Sequence, residues 1–248
     1  MWMRMQLICK GIIIFSIFMV STLQAEEIQK NDLWKMRAEM SFVDTAGNTD
    51  VQTISGKLEI KREEFVNRYF FRGKILEVRE RERETSNKIS SEARWERDIT
   101  ERMFTLFTAG YIKDIFSGYE YRFSVGPGIG YTFINAEGHR LQWLISSIYY
   151  YDKFSAGKDS DDYLTGKTTV KYEWKILENL KFKETLDSFI SFKNTDKYFV
   201  DSEAAVEVKI NKSVSIGINY SVNYQNISPA SEIEHTDITF LTTLIIDF

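Results

Sequence analysis

Long stretches of this chain alternate apolar and polar residues one by one. A period of two over ten or more positions admits only extended strands with one apolar face. In the run 33–43, Trp34, Met36, Ala38, Met40 and Phe42 fall on one face and Lys35, Arg37, Glu39 and Ser41 on the other. In 119–133, Tyr119, Tyr121, Phe123, Val125, Ile129, Tyr131 and Phe133 share a face, opposite Glu120, Arg122, Ser124, Gly126, Gly128 and Gly130. Val214, Ile216, Ile218, Tyr220, Val222 and Tyr224 repeat the pattern, and so do Ile238, Phe240, Thr242, Leu244, Ile246 and Phe248.

Turn residues divide the chain into about twelve such strands, near 33–43, 51–61, 66–78, 88–97, 102–112, 119–133, 140–151, 163–174, 180–192, 198–210, 213–225 and 236–248. Soluble strands average about 5–6 residues, roughly half of these. Short connections alternate with longer ones at 79–87, 154–162 and 227–235. An even strand number with short turns at one end and longer loops at the other is the layout of a bacterial transmembrane barrel. Closure is required because hydrocarbon cannot satisfy an open sheet edge. The fold class read here is therefore all-β, an antiparallel up-and-down transmembrane barrel. Aromatic residues support it by gathering toward both ends of the apolar face. Trp34, Trp95, Trp143, Trp174, Tyr131, Phe133 and Phe248 map to the short-turn end, and Tyr119, Tyr121, Tyr149, Tyr151, Tyr198, Tyr220 and Tyr224 to the other.

The N-terminus has a different character. Arg4 and Lys10 precede a ten-residue apolar run, Gly11 to Val20, and Ser21 to Ala25 ends in a small residue. This is the layout of a secretory signal peptide, expected over 1–25, with the barrel over 26–248. Cleavage near Ala25 removes the lone cysteine, Cys9, and makes the chain more acidic than its overall net charge of -4. An acidic balance gives no footing for nucleic acid. Bacterial outer-membrane localisation follows, with outer-membrane lipid as the first partner. The terminal series Leu244, Ile246 and Phe248 resembles the C-terminal signal read by the outer-membrane barrel assembly machinery.

By parity the charged side chains face inward, since a Lys or Arg facing lipid at midplane costs about 2–4 kcal/mol. The expected pore-lining set is Lys57, Glu59, Arg68, Arg72, Lys74, Glu92, Arg94, Glu120, Arg122, Lys167 and Lys171. Basic residues are in excess, so an open lumen should weakly prefer small anions. The same charges could instead zip the interior into a plug. The glycines at 126, 128 and 130 strip one strip of wall, making room for bulky neighbours such as arginines or for sharp curvature, and Pro127 suggests a bulge. Glu184 stands among apolar residues on its strand, which implies an interfacial position or a register shift. The sign-alternating run Arg79 to Glu84 reads as a solvated loop, as do Asp159, Asp161, Asp162, Glu232 and Glu234.

Three stretches carry a resemblance: Ala46-Gly47-Asn48-Thr49 after the first strand, Gly126-Pro127-Gly128-Ile129-Gly130-Tyr131, and Gly138-His139-Arg140-Leu141. This series resembles the uncharacterised salt-induced outer-membrane proteins of the YdiY-like group. The resemblance implies an outer-membrane barrel linked to salt or osmotic conditions, and it supplies no catalytic residues. Bottom-up, Gly47-Asn48 suits a tight turn, and the glycine series opens no helix, so it is not a phosphate loop.

Enzyme chemistry finds little material. His139 and His235 map to opposite ends of the barrel, and no nucleophile motif stands beside either; Ser228 and Ser231 are ordinary loop residues. No cofactor or metal is expected. The readings carried forward are a non-enzymatic envelope barrel, a narrow diffusion channel for small anions or solutes, and, behind both, a surface hydrolase using His235.

Overall fold

The computed structural model describes residues 34–45, 51–81, 83–155, 159–227 and 234–248. The expected signal segment with Cys9, the Gly47-Asn48 turn, Ser228, Ser231 and Glu232 lie outside the described residues. Within them, twelve antiparallel strands close into one barrel in simple sequential order. They are β1 (Trp34–Thr45), β2 (Val51–Glu64), β3 (Asn67–Glu80), β4 (Arg83–Asp98), β5 (Met103–Asp114), β6 (Tyr119–Ala136), β7 (His139–Phe154), β8 (Asp161–Leu177), β9 (Leu180–Ser191), β10 (Tyr198–Lys209), β11 (Val214–Gln225) and β12 (Thr236–Asp247).

The closing seam pairs Arg37 with Asp247 through Met40 with Leu244. Phe248 extends it, its N–H donating to the Met36 carbonyl at 2.9 Å and its carbonyl accepting from the Met36 N–H at 3.3 Å. Alternation places apolar side chains outside, where Trp34, Phe71, Trp95, Trp143, Tyr149 and Ile218 are exposed. This inverts the soluble pattern and gives the barrel wall a face that only lipid can cover. No helix among the described residues is long and apolar enough to cross a membrane.

The two ends differ as the turn chemistry requires. Residues 65–66, 137–138 and 178–179 close hairpins at the short-turn end, with Phe65 at φ 50° and Gly138 at φ 81°. Both described chain ends lie at this end.

Three local expectations are corrected, and the two alternatives for Glu184 narrow to one. Arg79 to Glu84 is no long loop: Arg79 and Glu80 end β3, Arg83 and Glu84 open β4, Arg79 pairs with Glu84 and Glu80 with Arg83, and Arg81 has φ 46°, while Glu82 lies outside the described residues. Pro127 makes no bulge: β5 pairs with β6 in unbroken register past it. On the β7 side the bridges lapse between Val125 and Gly128 but resume without a shift. The bulges of β6 lie nearer its ends, at Tyr119/Tyr121 and Thr132/Ile134. The first one turns Tyr119 inward, where it is buried, although parity counts it with the lipid-facing residues. Glu184 needs no register shift, since β9 pairs evenly with both neighbours there, and it accepts a hydrogen bond from Ser202 at 2.8 Å.

Candidate functional site

The lumen is the site, and it is layered along the barrel axis. Nearest the short turns the interior is packed. Phe104, Leu106 and Leu144 form a buried cluster. The glycine series makes this possible: a Cβ on Gly130 would collide with the Phe104 ring, and one on Gly126 would lie 2.9 Å from the Ile148 Cα and collide with the Ser147 carbonyl. The bulky neighbour is thus a phenyl ring, over which the Arg68 guanidinium lies at 5.1 Å. Arg68 is held by Glu96 at 2.9 Å and Asp98 at 2.6 Å, and Arg94 by Glu96 at 2.9 Å while it stacks on Phe70 at 4.6 Å.

Above this layer, ion pairs reach between distant strands. Glu203 on β10 meets Lys57 on β2 at 3.5 Å and Lys74 on β3 at 2.5 Å. Lys57 also approaches Glu39 at 3.2 Å and Glu59 at 3.4 Å, and Arg72 pairs with Glu59 at 2.8 Å. Glu207 on β10 holds Arg37 and Lys183, both at 2.7 Å. These contacts tie the first strands of the barrel to the tenth.

A central cavity of about 340 Å³ opens over these pairs. Its charged lining is Lys57, Arg72, Lys74, Lys88 and Lys167 against Glu39, Glu92, Asp187, Asp201 and Glu203. The signs balance. A second cavity of about 130 Å³ lies toward the long loops, against Asp114, Tyr119, Arg122, Phe199 and Asp237. Beside it, Asp152 is fully buried and accepts two hydrogen bonds from Arg122, at 2.7 and 2.8 Å, and one from Tyr163 at 2.9 Å. Lys197 completes the knot, 3.4 Å from Asp152 and 2.9 Å from Asp161. At the rim Lys193 donates to Asp161 at 2.7 Å, and this bond holds its ammonium above the ordinary lysine range.

Of the residues expected along the lumen, Lys57, Arg72, Lys74, Glu92 and Lys167 line the central cavity and Arg122 the outer one. Arg68 and Arg94 belong to the packed layer. Glu59 stands between Lys57 and Arg72, and Lys171 lies among the charges of Arg94, Glu92, Arg72 and Glu96. Glu120 is the correction: the bulge makes it the extra residue of β6, and it is exposed at the rim instead of facing the interior.

The sequence reading missed Asp114, Asp152, Asp187, Asp201, Glu203 and Glu207. All follow the same alternation on β5, β7, β9 and β10. They offset the expected excess of basic charge: Asp152 holds Arg122, Asp187 holds Lys167 and Glu203 holds Lys57 and Lys74, while Asp114 stands beside Lys88 and Glu207 beside Arg37 and Lys183. His139 and His235 do sit at opposite ends, His139 against the Tyr172 hydroxyl at 2.9 Å and His235 against the Gln225 carbonyl at 2.7 Å. Leu244 and Ile246 lie on the outward face of β12, opposite the buried Thr243 and Ile245, and the exposed Phe248 follows the strand's end.

Comparison with known proteins agrees with this architecture. A NanC porin superposes with a TM-score of 0.50 at 8% identity, covering 86% of this chain and 97% of that one. An outer-membrane channel from Pseudomonas putida F1 gives 0.50 at 8% identity over 87% and 93%. At such identities the likeness is one of fold, and the fold is that of outer-membrane barrels. The uncharacterized protein YdiY of Escherichia coli (strain K12) is 26% identical over 153 residues, 62% of this chain and 59% of that protein, so the match spans well under two thirds of the relative. The family model described as a protein of unknown function, DUF481, matches residues 38–248, and the chain belongs to that family.

Proposed function

We propose that this protein is a non-enzymatic outer-membrane barrel that admits small solutes and ions through a narrow lumen of balanced charge. One observation carries the reading: a space of about 340 Å³, room for several waters, persists in mid-barrel, and five cationic and five anionic side chains share its wall. A pure plug of twelve strands would fill that space with side chains. Fixed charges along a narrow aqueous path set selectivity, and matched charges favour neither sign. The anion preference expected from the basic residues alone is therefore replaced by near-equal passage of both signs. Export by the segment 1–25, delivery through the barrel assembly machinery by way of Leu244, Ile246 and Phe248, and residence in outer-membrane lipid belong to the same proposal.

Single-channel recording of the refolded protein in a planar bilayer tests it. Folding is verified first by a heat-dependent gel shift. The expected record shows small, stable steps, with a reversal potential near zero in a potassium chloride gradient. Strong preference for one ion would overturn the balanced lumen. A folded barrel that stays silent would overturn the channel. Silence is what a second reading expects, and the buried Phe104–Leu106–Leu144 layer favours it: a closed envelope barrel whose working surface is its long-loop end.

A further inference from the structure

The two cavities share six lining residues, Lys88, Ile112, Tyr150, Phe189, Asp201 and Asn223, which form the neck between them. Lys88 is on β4 and Asp201 on β10, six strands apart in either direction around a twelve-stranded barrel, so they stand on opposite walls. Many facing charges of the lumen, such as Glu203 with Lys57 and Lys74, have closed into ion pairs. Here they have not: Asp201 senses the charge of Lys88, but among the described residues no cation lies within 4.0 Å of it. Each has only part of its bonding capacity used. Lys88 lies 3.4 Å from Asp114, and Asp201 accepts from the Asn223 amide at 2.9 Å. An ammonium has three donors and a carboxylate about four acceptor sites.

We propose that this neck binds small zwitterions, solutes with a carboxylate at one end and an ammonium at the other. The proposal rests on the channel reading and names its solute. The carboxylate meets Lys88, the ammonium meets Asp201, and the connecting alkyl chain lies against Ile112 and the rings of Tyr150 and Phe189. Aromatic faces also favour a desolvated ammonium. Simple ions fit worse. An anion at Lys88 meets the fields of Asp114 and Asp237, and a cation at Asp201 meets that of Lys88. Lys167 and Asp187, the other charges near Asp201, already neutralise each other at 3.1 Å.

The test uses refolded protein in lipid nanodiscs and four probes of increasing length: glycine, β-alanine, 4-aminobutyrate and 6-aminohexanoate. Butyrate and butylammonium serve as single-charge controls. Binding is read by saturation-transfer NMR and, separately, by interruption of the single-channel current. One chain length should bind at least about tenfold more tightly than either control. Asp201→Asn and Lys88→Gln should each remove that margin, and the exchanged pair Lys88→Glu with Asp201→Lys should restore it. Equal binding of butyrate or butylammonium, or indifference to both single variants, overturns the site. The two proposals fail separately. A silent barrel that still prefers the zwitterion keeps the site and loses the channel, whereas a conducting barrel without the preference loses only the site.

Discussion

At the scale of single residues, the interior is held by charges that would be expensive alone. Asp152 has no exposed surface, yet it accepts from Arg122 and Tyr163 and faces Lys197. Arg122 is in turn enclosed by the rings of Tyr119 at 4.1 Å, Tyr150 at 5.3 Å and Phe199 at 5.1 Å. Breaking a buried pair by removing one partner typically costs about 3–5 kcal/mol, because the survivor is left uncompensated. Asp152→Ala should therefore destabilise the barrel by an amount of that order. The double variant Arg122→Met with Asp152→Leu should lose markedly less, since it leaves no orphaned charge. Urea unfolding of protein reconstituted in vesicles measures both. Equal losses in the single and double variants would mean that the knot contributes packing and little electrostatics.

At the scale of elements, β12 and the seam make the sharpest prediction. Phe248 exchanges two backbone hydrogen bonds with Met36 beyond the last bridged pairs of β1 and β12. A chain ended at Asp247 should lose both and unfold at a lower temperature on heat-modification gels. Phe248→Ala keeps the backbone bonds and should unfold close to the parent. If instead the two behave alike, the side chain is what secures the seam. The elements also show how far the sequence could be read. Alternation, divided by turn residues, located all twelve strands, because a strand with lipid outside and charge inside has no other arrangement of its side chains. It failed where one extra residue entered: the bulge at Tyr119/Tyr121 inverted the parity, burying Tyr119 and expelling Glu120. It failed again at Arg79 to Glu84, where both faces are charged and the apolar stripe that marks a strand is missing. Beyond the membrane a strand needs none; pairing with its neighbour is enough, as Glu80 with Arg83 shows. The acidic wall was legible in principle. Asp187, Asp201, Glu203 and Glu207 obey the same rule as the basic residues; on β9 Glu184, standing on the apolar face, obscured the parity of Asp187.

At the scale of the whole molecule, the lumen is a barrel interior divided by charge. Cations of β2 to β4 look across at carboxylates of β9 and β10, and Glu203 is where the two walls touch, through Lys57 and Lys74. Such a bar narrows the lumen and fixes the spacing of strands that share no ladder. Glu203→Gln keeps the shape of the side chain and removes its charge. Lys57 retains Glu39 and Glu59, so the larger change falls on Lys74, which loses the one ion-pair partner it has among the described residues. The central cavity then carries one uncompensated positive charge. Its conductance should rise as the bar opens. Its permeability should tilt toward chloride by roughly twofold or more, read as a shifted reversal potential in a potassium chloride gradient. Lys167→Gln provides the contrast. It unbalances the same cavity in the opposite sense without touching the bar, so it should tilt permeability toward potassium and leave the step size near that of the parent. If both variants changed conductance equally, narrowing would belong to the charge of the lumen as a whole. If only Glu203→Gln widened it, one side chain on β10 would set the bore of the barrel.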